Sequence, residues 1–279
     1  MKSKGSARTW TASRRSWGSG LVTMVVAVGF FISNGISGEN VAAATNRLHK
    51  TQAVIYGDSL TWESTKYIAR GFLGNTTYRP HVHAYPGSAP CDWVEWLPAD
   101  IAKYHPTVIS LTTVGNNTTA CTMSNGQQLD AGSQALQDNY RTALTGFFST
   151  AIASGARVIF NQGPPVESPV GNAWVNEINL IAAQLAPNYG GKVTISSAAR
   201  LSVSNNGVFT TTLPCLAGEN KKDGCSAGVI DVRTVSGDGV GVHLCRNGFV
   251  GGTFRKPCDV YSSGEVRFGA ALAQAIRNP

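Results

Sequence analysis

The sequence predicts an α/β fold, a three-layer α/β/α sandwich around a mainly parallel five-stranded sheet. Short apolar runs alternate with longer helical stretches through most of residues 45–279. Glycine or proline follows several of the short runs, which marks where strands end. Because parallel strands need long crossover connections that are usually helical, this alternation favours a sheet with helices on both faces. A segment of this length can form a single domain with a substantial core.

Each predicted element follows from a local pattern. The run at 53–56 is apolar and ends at Gly57, the run at 107–114 is the clearest buried strand, and Gly155 ends a long helical stretch. The predicted strands lie at about 53–56, 81–85, 107–114, 157–160 and 192–196. The predicted helices lie at about 64–72, 93–104, 131–154, 173–185 and 263–276. Residues 201–236 break the alternation, so we expect a disulfide-stapled loop region around 201–260.

The first 44 residues have the pattern of an export signal. A basic stretch that ends at Arg15 precedes an apolar run at 21–32, and small residues then lead to the alanines at 42–44. The apolar run is short, since a membrane-spanning helix needs about 20 residues. We therefore expect a signal peptide at 1–44, a secreted protein, and contact with a membrane only during export. An uncleaved membrane anchor is the open alternative.

The charge of the chain does not predict a nucleic-acid partner. The net charge is +7, but residues 1–44 carry five cations and one anion, which leaves 18 cations and 15 anions in 45–279. No basic stripe of the kind that binds nucleic acid remains there. With 42% hydrophobic and 14% charged residues, the composition is also unlike that of a disordered chain.

The cysteines agree with export, because all six lie beyond residue 44 and they are even in number. They are Cys91, Cys121, Cys215, Cys225, Cys245 and Cys258. Oxidising compartments allow such cysteines to pair, and six of them allow 15 pairings. Short loops favour Cys215–Cys225 and Cys245–Cys258, which leaves Cys91–Cys121. The sequence contains no Cys-x-x-Cys and no other zinc-like spacing, so we expect neither a metal nor a cofactor.

Four residues with catalytic chemistry follow the predicted strands or a glycine-rich turn. Ser59 follows the first strand, Gly87 the second and Asn117 the third, and His243 ends the glycine-rich run at 237–243. Because the carboxyl ends of parallel strands share one edge of a sheet, we expect these residues to converge. Serine needs a neighbouring base to become a nucleophile, and His243 is the natural candidate among five histidines.

These four blocks, in this order, resemble those of the SGNH/GDSL hydrolase family, in particular exported actinobacterial esterases and lipases. Residues 57–60 match the nucleophile block, and the resemblance covers essentially all of 51–279. It implies a flavodoxin-like sheet, Ser59 as nucleophile and His243 as base. It also implies an oxyanion hole formed by the backbone N–H groups of Ser59 and Gly87 and by the Asn117 amide. Thr118 departs from the family, which has aspartate at that position.

The acid partner of His243 departs from the family pattern. The family has an aspartate three residues before the histidine, where this chain has Val240. Asp238 lies five residues before His243, and the neighbouring glycines could let the loop bulge so that its carboxylate still reaches the imidazole. We predict Asp238 as the orienting acid. Asp231, or a Ser–His dyad without a carboxylate, remains open. We expect Asp58 to shape the turn before the serine rather than to act as a base.

The sequence thus predicts a secreted serine ester hydrolase that forms an acyl-enzyme intermediate on Ser59. The expected substrate is a carboxylic ester, either a lipid, an acylated polysaccharide or a small acyl ester, and we expect a monomer. An acyltransferase or a carbohydrate deacetylase would use the same residues. A catalytically inactive exported carbohydrate-binding protein and a disulfide-rich interaction module are alternatives from other classes. Four aromatic residues near the motif loops either line a substrate groove or only pack: Trp62, Tyr85, Trp93 and Trp96.

Overall fold

Five parallel strands form the central sheet of this computed structural model, which describes residues 51–75, 77–234, 241–248 and 257–278. The strands are β1 (Thr51–Gly57), β2 (Tyr78–Ala84), β3 (Val108–Thr112), β4 (Arg157–Asn161) and β5 (Val193–Ser196). Their order across the sheet is β2-β1-β3-β4-β5, and each neighbouring pair is parallel. The predicted five-stranded parallel sheet is confirmed.

Helices cover both faces of this sheet. They are α1 (Ser59–Gly71), α2 (Pro90–Tyr104), α3 (Gln134–Ala153), α4 (Pro169–Leu185), α5 (Ala198–Ser202) and α6 (Ser263–Arg277). On one face α1 packs against α6, and α5 lies beside α6. On the other face α3 packs between α2 and α4. The arrangement is the predicted α/β/α sandwich.

The strands are apolar at successive positions because both of their faces are covered. In β1 the side chains of Ala53 and Ile55 pack with α1 and α6, whereas Val54 and Tyr56 pack with α2 and α3. All four side chains are fully buried. Since alternate residues of a strand point to opposite faces, a strand between two helical layers needs apolar residues on both.

One helix begins earlier than its sequence pattern predicts. The predicted start was about residue 64, but α1 begins at Ser59 because the Asp58 carboxylate accepts a hydrogen bond from the backbone N–H of Leu60 at 3.1 Å. Residues 59–64 are all buried. The first turn and a half of α1 therefore has no solvent-exposed face. Without such a face the sequence has no amphipathic periodicity there, and the start of the helix cannot be recognised from it.

The region at 201–236 contains a short antiparallel hairpin, Thr212–Pro214 with Val229–Asp231. The disulfide Cys215–Cys225 closes the connection of this hairpin. The other disulfides are Cys91–Cys121 and Cys245–Cys258. Both pairs that the short loops favour are therefore present, and Cys91–Cys121 is the pair that they leave.

The predicted export signal at 1–44 lies outside the described residues. Within the ranges that the structure describes, no helix has both the length and the hydrophobicity that crossing a bilayer requires.

Candidate active site

The candidate site lies where β1 and β3 end side by side. The chain leaves β1 towards β2 on one side of the sheet, and later elements continue from β3 on the other. Crevices at such a change of direction, beyond the carboxyl ends of the strands, are where ligands bind in open parallel sheets. The serine block follows β1 and the asparagine block follows β3, so the strand order itself brings these two predicted blocks together.

Asp58 fixes the turn that carries Ser59. One carboxylate oxygen accepts the Leu60 N–H, and the other accepts the Val114 N–H at 2.7 Å, which ties the loop after β1 to the loop after β3. The side chain is fully buried. This burial raises the pKa of Asp58 to about 7, although the two backbone N–H groups favour its charged form. The prediction that Asp58 shapes the turn is confirmed.

Gly57 allows the chain to pass from strand to helix within two residues. A Cβ atom at this position would lie 2.0 Å from Oγ1 and 2.5 Å from Cβ of Thr61. Contacts this short do not occur between real side chains, so any larger residue would displace the first turn of α1. The position of Ser59 at the start of α1 therefore depends on a glycine at position 57.

The asparagine loop is held from two helices. Trp174 of α4 donates its indole N–H to the carbonyl of Gly115 at 2.9 Å, and the Tyr140 hydroxyl of α3 donates to the carbonyl of Asn116 at 2.6 Å. Gly115 has a φ of +93°, a conformation that favours glycine. These bonds fix the backbone just before Asn117, the residue that the sequence predicts in the oxyanion hole.

The two asparagine side chains of this loop point to different partners. Asn116 donates its amide to the carbonyl of Ser88 at 3.1 Å, and Asn117 donates its amide to the carbonyl of Leu129 at 2.6 Å. An amide nitrogen carries two hydrogens, so this bond leaves Asn117 a second donor. Asn117 lines the same cavity as Ser59. Its role in an oxyanion hole stays a prediction.

The glycine block after β2 is attached to the end of β1. The backbone N–H of Tyr85 donates to the carbonyl of Gly57 at 3.0 Å, and the Ser88 hydroxyl donates to the carbonyl of Tyr85 at 2.8 Å. Gly87, at the centre of this turn, has a φ of +81°. The fold therefore brings the second predicted block beside the first, and the oxyanion role of Gly87 likewise stays a prediction.

His243 lies in the described stretch 241–248, which has no helix or strand, and a buried arginine holds this stretch in place. Arg233 donates to the carbonyl of Val242 at 2.9 Å and also to the carbonyls of Pro165 at 3.0 Å and Val203 at 3.1 Å. The backbone of His243 itself accepts the Thr234 N–H at 3.0 Å. The residue just before the histidine is thereby tied to two distant turns.

A carboxylate that the sequence analysis missed lies against the imidazole. Glu63 of α1 places Oε1 2.6 Å from Nδ1 of His243, and its Oε2 accepts the Leu244 N–H at 2.6 Å. The Glu63 side chain is fully buried. A polar residue four positions after Ser59, on the same face of a helix, is the signal that could have found it.

Of the aspartates that the sequence analysis favoured, the structure describes only Asp231. Asp238, the predicted acid, lies outside the described residues. Asp231, the second candidate, forms an ion pair with Arg246, with 3.3 Å between Oδ2 and Nε.

The serine and the histidine line one cavity of about 220 Å³. Val166, Trp174 and Val175 form part of its apolar wall. The fold therefore unites a hydroxyl near residue 59 and an imidazole 184 positions later, as the sequence predicts.

The four aromatic residues near the motif loops fall into two pairs. Trp62 and Trp93 are buried, whereas Tyr85 and Trp96 are about half exposed. Tyr85, Trp93 and Trp96 line a second hollow of about 270 Å³ beside the turn that carries Gly87.

The sheet order, with the serine, glycine, asparagine and histidine loops at one edge, is the fold that the resemblance to the SGNH/GDSL hydrolases implies. The chain belongs to the family described as protein of unknown function DUF459, whose profile matches residues 52–225.

Two solved structures are similar to this chain. A putative lipolytic protein of the G-D-S-L family from Desulfitobacterium hafniense DCB-2 is similar with a TM-score of 0.51 and 11% identity, over 81% of this chain and 99% of that protein. A GDSL-like lipase from Bacteroides thetaiotaomicron VPI-5482 has a TM-score of 0.48 and 15% identity, over 85% of this chain and 96% of that protein. No curated protein is similar enough in sequence to count as a relative.

Proposed function

We propose that the chain is a secreted serine ester hydrolase that cleaves carboxylic esters through an acyl-enzyme intermediate on Ser59. The observation that carries this proposal is the shared cavity of Ser59 and His243, together with the buried carboxylate on Nδ1 of the same imidazole. A carboxylate on Nδ1 leaves Nε2 as the nitrogen that exchanges a proton with the serine.

The reaction has two half-reactions with the same proton path. The Ser59 oxygen bonds to the ester carbon as its proton passes to Nε2 of His243, and the carbonyl electrons move to oxygen. Collapse of this intermediate breaks the bond to the alcohol, which takes the proton from His243. Water then repeats the sequence on the acyl-enzyme and releases the carboxylic acid.

The transient oxyanion needs preorganised donors. The backbone N–H of Ser59 lies in the first turn of α1, where amides have no partner within the helix and the helix dipole favours negative charge. Gly87 N–H and the second hydrogen of the Asn117 amide complete the proposed hole. Loss of one such donor typically costs about 3–4 kcal/mol of barrier.

Three disulfide bonds support an oxidising environment, in agreement with the export signal that the sequence predicts at 1–44. The disulfide bonds and the predicted signal together support a location outside the cell.

The shape of the two hollows favours an acylated polysaccharide over a long-chain lipid. The cavity beside Ser59 has about 220 Å³, less than the roughly 300 Å³ and upwards of pockets that hold drug-sized ligands, so it suits a short acyl group. In the neighbouring hollow, half-exposed Tyr85 and Trp96 offer ring faces, and Ser88, Asp92 and Thr119 offer polar groups. Flat apolar faces with polar groups at the edge suit a sugar ring, which has both kinds of surface.

Hydrolysis of p-nitrophenyl acetate tests the reaction. We expect Ser59→Ala to lower kcat/KM by about 10⁴–10⁶-fold, while Ser149→Ala, an exposed serine on α3, leaves it unchanged. The wild-type rate should rise with pH as the imidazole loses its proton, because a general base acts only when neutral. Equal rates for the wild-type protein and Ser59→Ala would instead favour a binding protein without catalysis, and a rate independent of pH between about 5 and 8 would count against His243 as the base.

A second comparison tests the substrate class. Acetylated oligosaccharides should be better substrates than p-nitrophenyl palmitate. Trp96→Ala should raise KM for the oligosaccharide about tenfold without changing the rate on p-nitrophenyl acetate. Leu180→Ala, an equally exposed apolar residue on α4, serves as the control. A preference for palmitate, or no effect of Trp96→Ala on either substrate, would reject the sugar assignment.

A further inference from the structure

We infer that Glu63, rather than an aspartate close to His243 in the sequence, is the positioning residue of the histidine. The inference rests on the proposed function, since it concerns the same imidazole. It places the nucleophile and the carboxylate on one helix, so that only the histidine is supplied by the distant C-terminal segment.

The helix geometry puts Glu63 on the correct side. Ser59 is the first residue of α1 and Glu63 is the fifth. Residues four apart on a helix lie on the same face, about one turn from each other. An imidazole that lies beside Ser59 on this face of the helix is therefore also placed to contact the Glu63 carboxylate.

The two oxygens of Glu63 bind two successive residues of the histidine segment. Oε1 lies 2.6 Å from Nδ1 of His243, and Oε2 lies 2.6 Å from the backbone nitrogen of Leu244. The first bond sets the orientation of the ring, and the second sets the position of the backbone that carries it. One carboxylate thus fixes both the position and the orientation of the imidazole.

The environment of Glu63 suits a structural anion. The side chain is fully buried, and a buried charge is costly unless it is paired and hydrogen-bonded. Because a carboxylate can only accept, the hydrogen of this bond sits on Nδ1, and Nε2 is then the ring nitrogen that would take the proton of the serine. When that proton arrives, the imidazolium formed is stabilised by the adjacent negative charge.

The kinetic test compares Glu63→Gln with Asp238→Asn. Glutamine keeps the size of the side chain and can still accept the Leu244 N–H, but its amide cannot accept from Nδ1 at the same time. The wrong tautomer is then favoured, and in a serine protease the equivalent change lowers kcat about 10⁴-fold. We expect a fall in kcat of this order for Glu63→Gln with little change in KM, and less than a tenfold fall for Asp238→Asn. A large fall for Asp238→Asn with a small one for Glu63→Gln would overturn the inference.

Two further measurements separate positioning from folding. Glu63→Asp keeps the charge but shortens the reach, so it should recover part of the activity that Glu63→Gln loses, and all variants should be compared by thermal unfolding. If Glu63→Gln fails to fold, Glu63→Asp and Asp238→Asn still decide the question, because only a change at the true partner should shift the pH profile. The groups that act on this pair electrostatically include Asp58 and Glu265, which stay unchanged in every variant.

An NMR readout does not depend on hydrolysis at all. A strong carboxylate–imidazole bond moves the Nδ1–H proton of His243 far downfield. The signal should be present in the wild-type protein and in Asp238→Asn, and absent in Glu63→Gln. If the protein hydrolyses no ester but shows this pattern, the proposed function fails while the role of Glu63 in positioning His243 stands. If the signal survives Glu63→Gln, the inference fails whatever the activity.

Discussion

The serine and the histidine of the candidate site are held by different kinds of structure. Ser59 lies between β1 and α1, and its position follows from a capped helix, a parallel strand and the close approach of Gly57 to Thr61. His243 lies in the described stretch 241–248, which has only turns and bends.

The histidine segment is held instead by attachments to other parts of the chain. They include the hydrogen bonds of Arg233, the disulfide Cys245–Cys258 and the carboxylate of Glu63. In a helix or strand, many backbone hydrogen bonds together hold each residue in place. In the histidine segment, by contrast, each attachment contributes a large part of what holds His243 in place. The comparison therefore predicts that single changes around His243 have larger effects than single changes of similar size in the helices.

The largest effect should come from Arg233→Met. The arginine is buried, and its loss leaves the carbonyls of Val242, Pro165 and Val203 without their donor. A buried acceptor that loses its donor typically costs about 1–3 kcal/mol, and three acceptors are affected here. Urea unfolding should show a loss of this size together with lower esterase activity.

The control for this change is Arg246→Met. Arg246 lies in the same segment, but its ion pair with Asp231 is partly exposed, and such pairs contribute about 1 kcal/mol or less. Similar losses for both variants would mean that burial of Arg233 is not what holds the segment.

Removal of the disulfide next to the histidine should come second. Cys245 and Cys258 are 13 residues apart, and Cys215 and Cys225 are 10 apart. Loops of this size predict a similar loss of about 3 kcal/mol for each pair of Cys→Ser changes. Only the Cys245–Cys258 pair adjoins His243, so only its loss should also lower kcat. Equal activity of the two double variants would break the link between this disulfide and the site.

On the serine side, Gly57→Ala should have an intermediate effect. The added Cβ overlaps Thr61, and overpacking of this kind costs about 1–3 kcal/mol. A displacement of about 1 Å at the nucleophile can lower kcat by about 10²-fold. Gly146→Ala, inside α3 with 3.9 Å to its nearest neighbour, should be neutral or slightly stabilising. Full activity of Gly57→Ala in the p-nitrophenyl acetate assay would contradict the tight turn described here.

The smallest effect concerns pH and Glu265, in the first turn of α6. Burial raises the pKa of Glu265 to about 8, and Glu63 adds to this while Lys66 opposes it. The folded protein keeps this proton up to about pH 8, whereas an unfolded chain loses it above about pH 4.5. This contribution to stability therefore falls as pH rises through that window.

The variant that tests this effect is Glu265→Gln, which has no proton to lose. The free energy of unfolding, obtained from thermal unfolding at pH 5, 6.5 and 8, should fall less steeply with pH for the variant. The difference should be on the order of 1 kcal/mol after allowance for screening by water. If the stability of the two proteins changed equally with pH, a group other than Glu265 would be responsible for the pH dependence.

The amino-acid sequence predicts most of the framework but only part of the site. Ser59, Gly87 and Asn117 follow strands whose apolar runs are visible, so their convergence at one edge follows from the parallel sheet. The start of α1 is harder to predict, because its first residues are buried and carry no amphipathic pattern. Glu63 lies within that unrecognised turn, and nothing local connects it to a histidine 180 positions away.

What the sequence by itself determined was the order of the strands and helices, the three disulfide pairs and the identity of the serine and histidine that share a cavity. The elements and the preferred cysteine pairs follow from short-range physics, namely the spacing of apolar residues, the turns that glycine permits and the length of cysteine loops. The serine and the histidine follow from their chemistry and from the resemblance of their blocks to a known family. The carboxylate beside the imidazole was decided only by the tertiary structure. Its selection depends on how α1 packs against His243 and Leu244. Such contacts between distant parts of a chain depend on the packing of the whole fold, so no local pattern in the sequence reveals them.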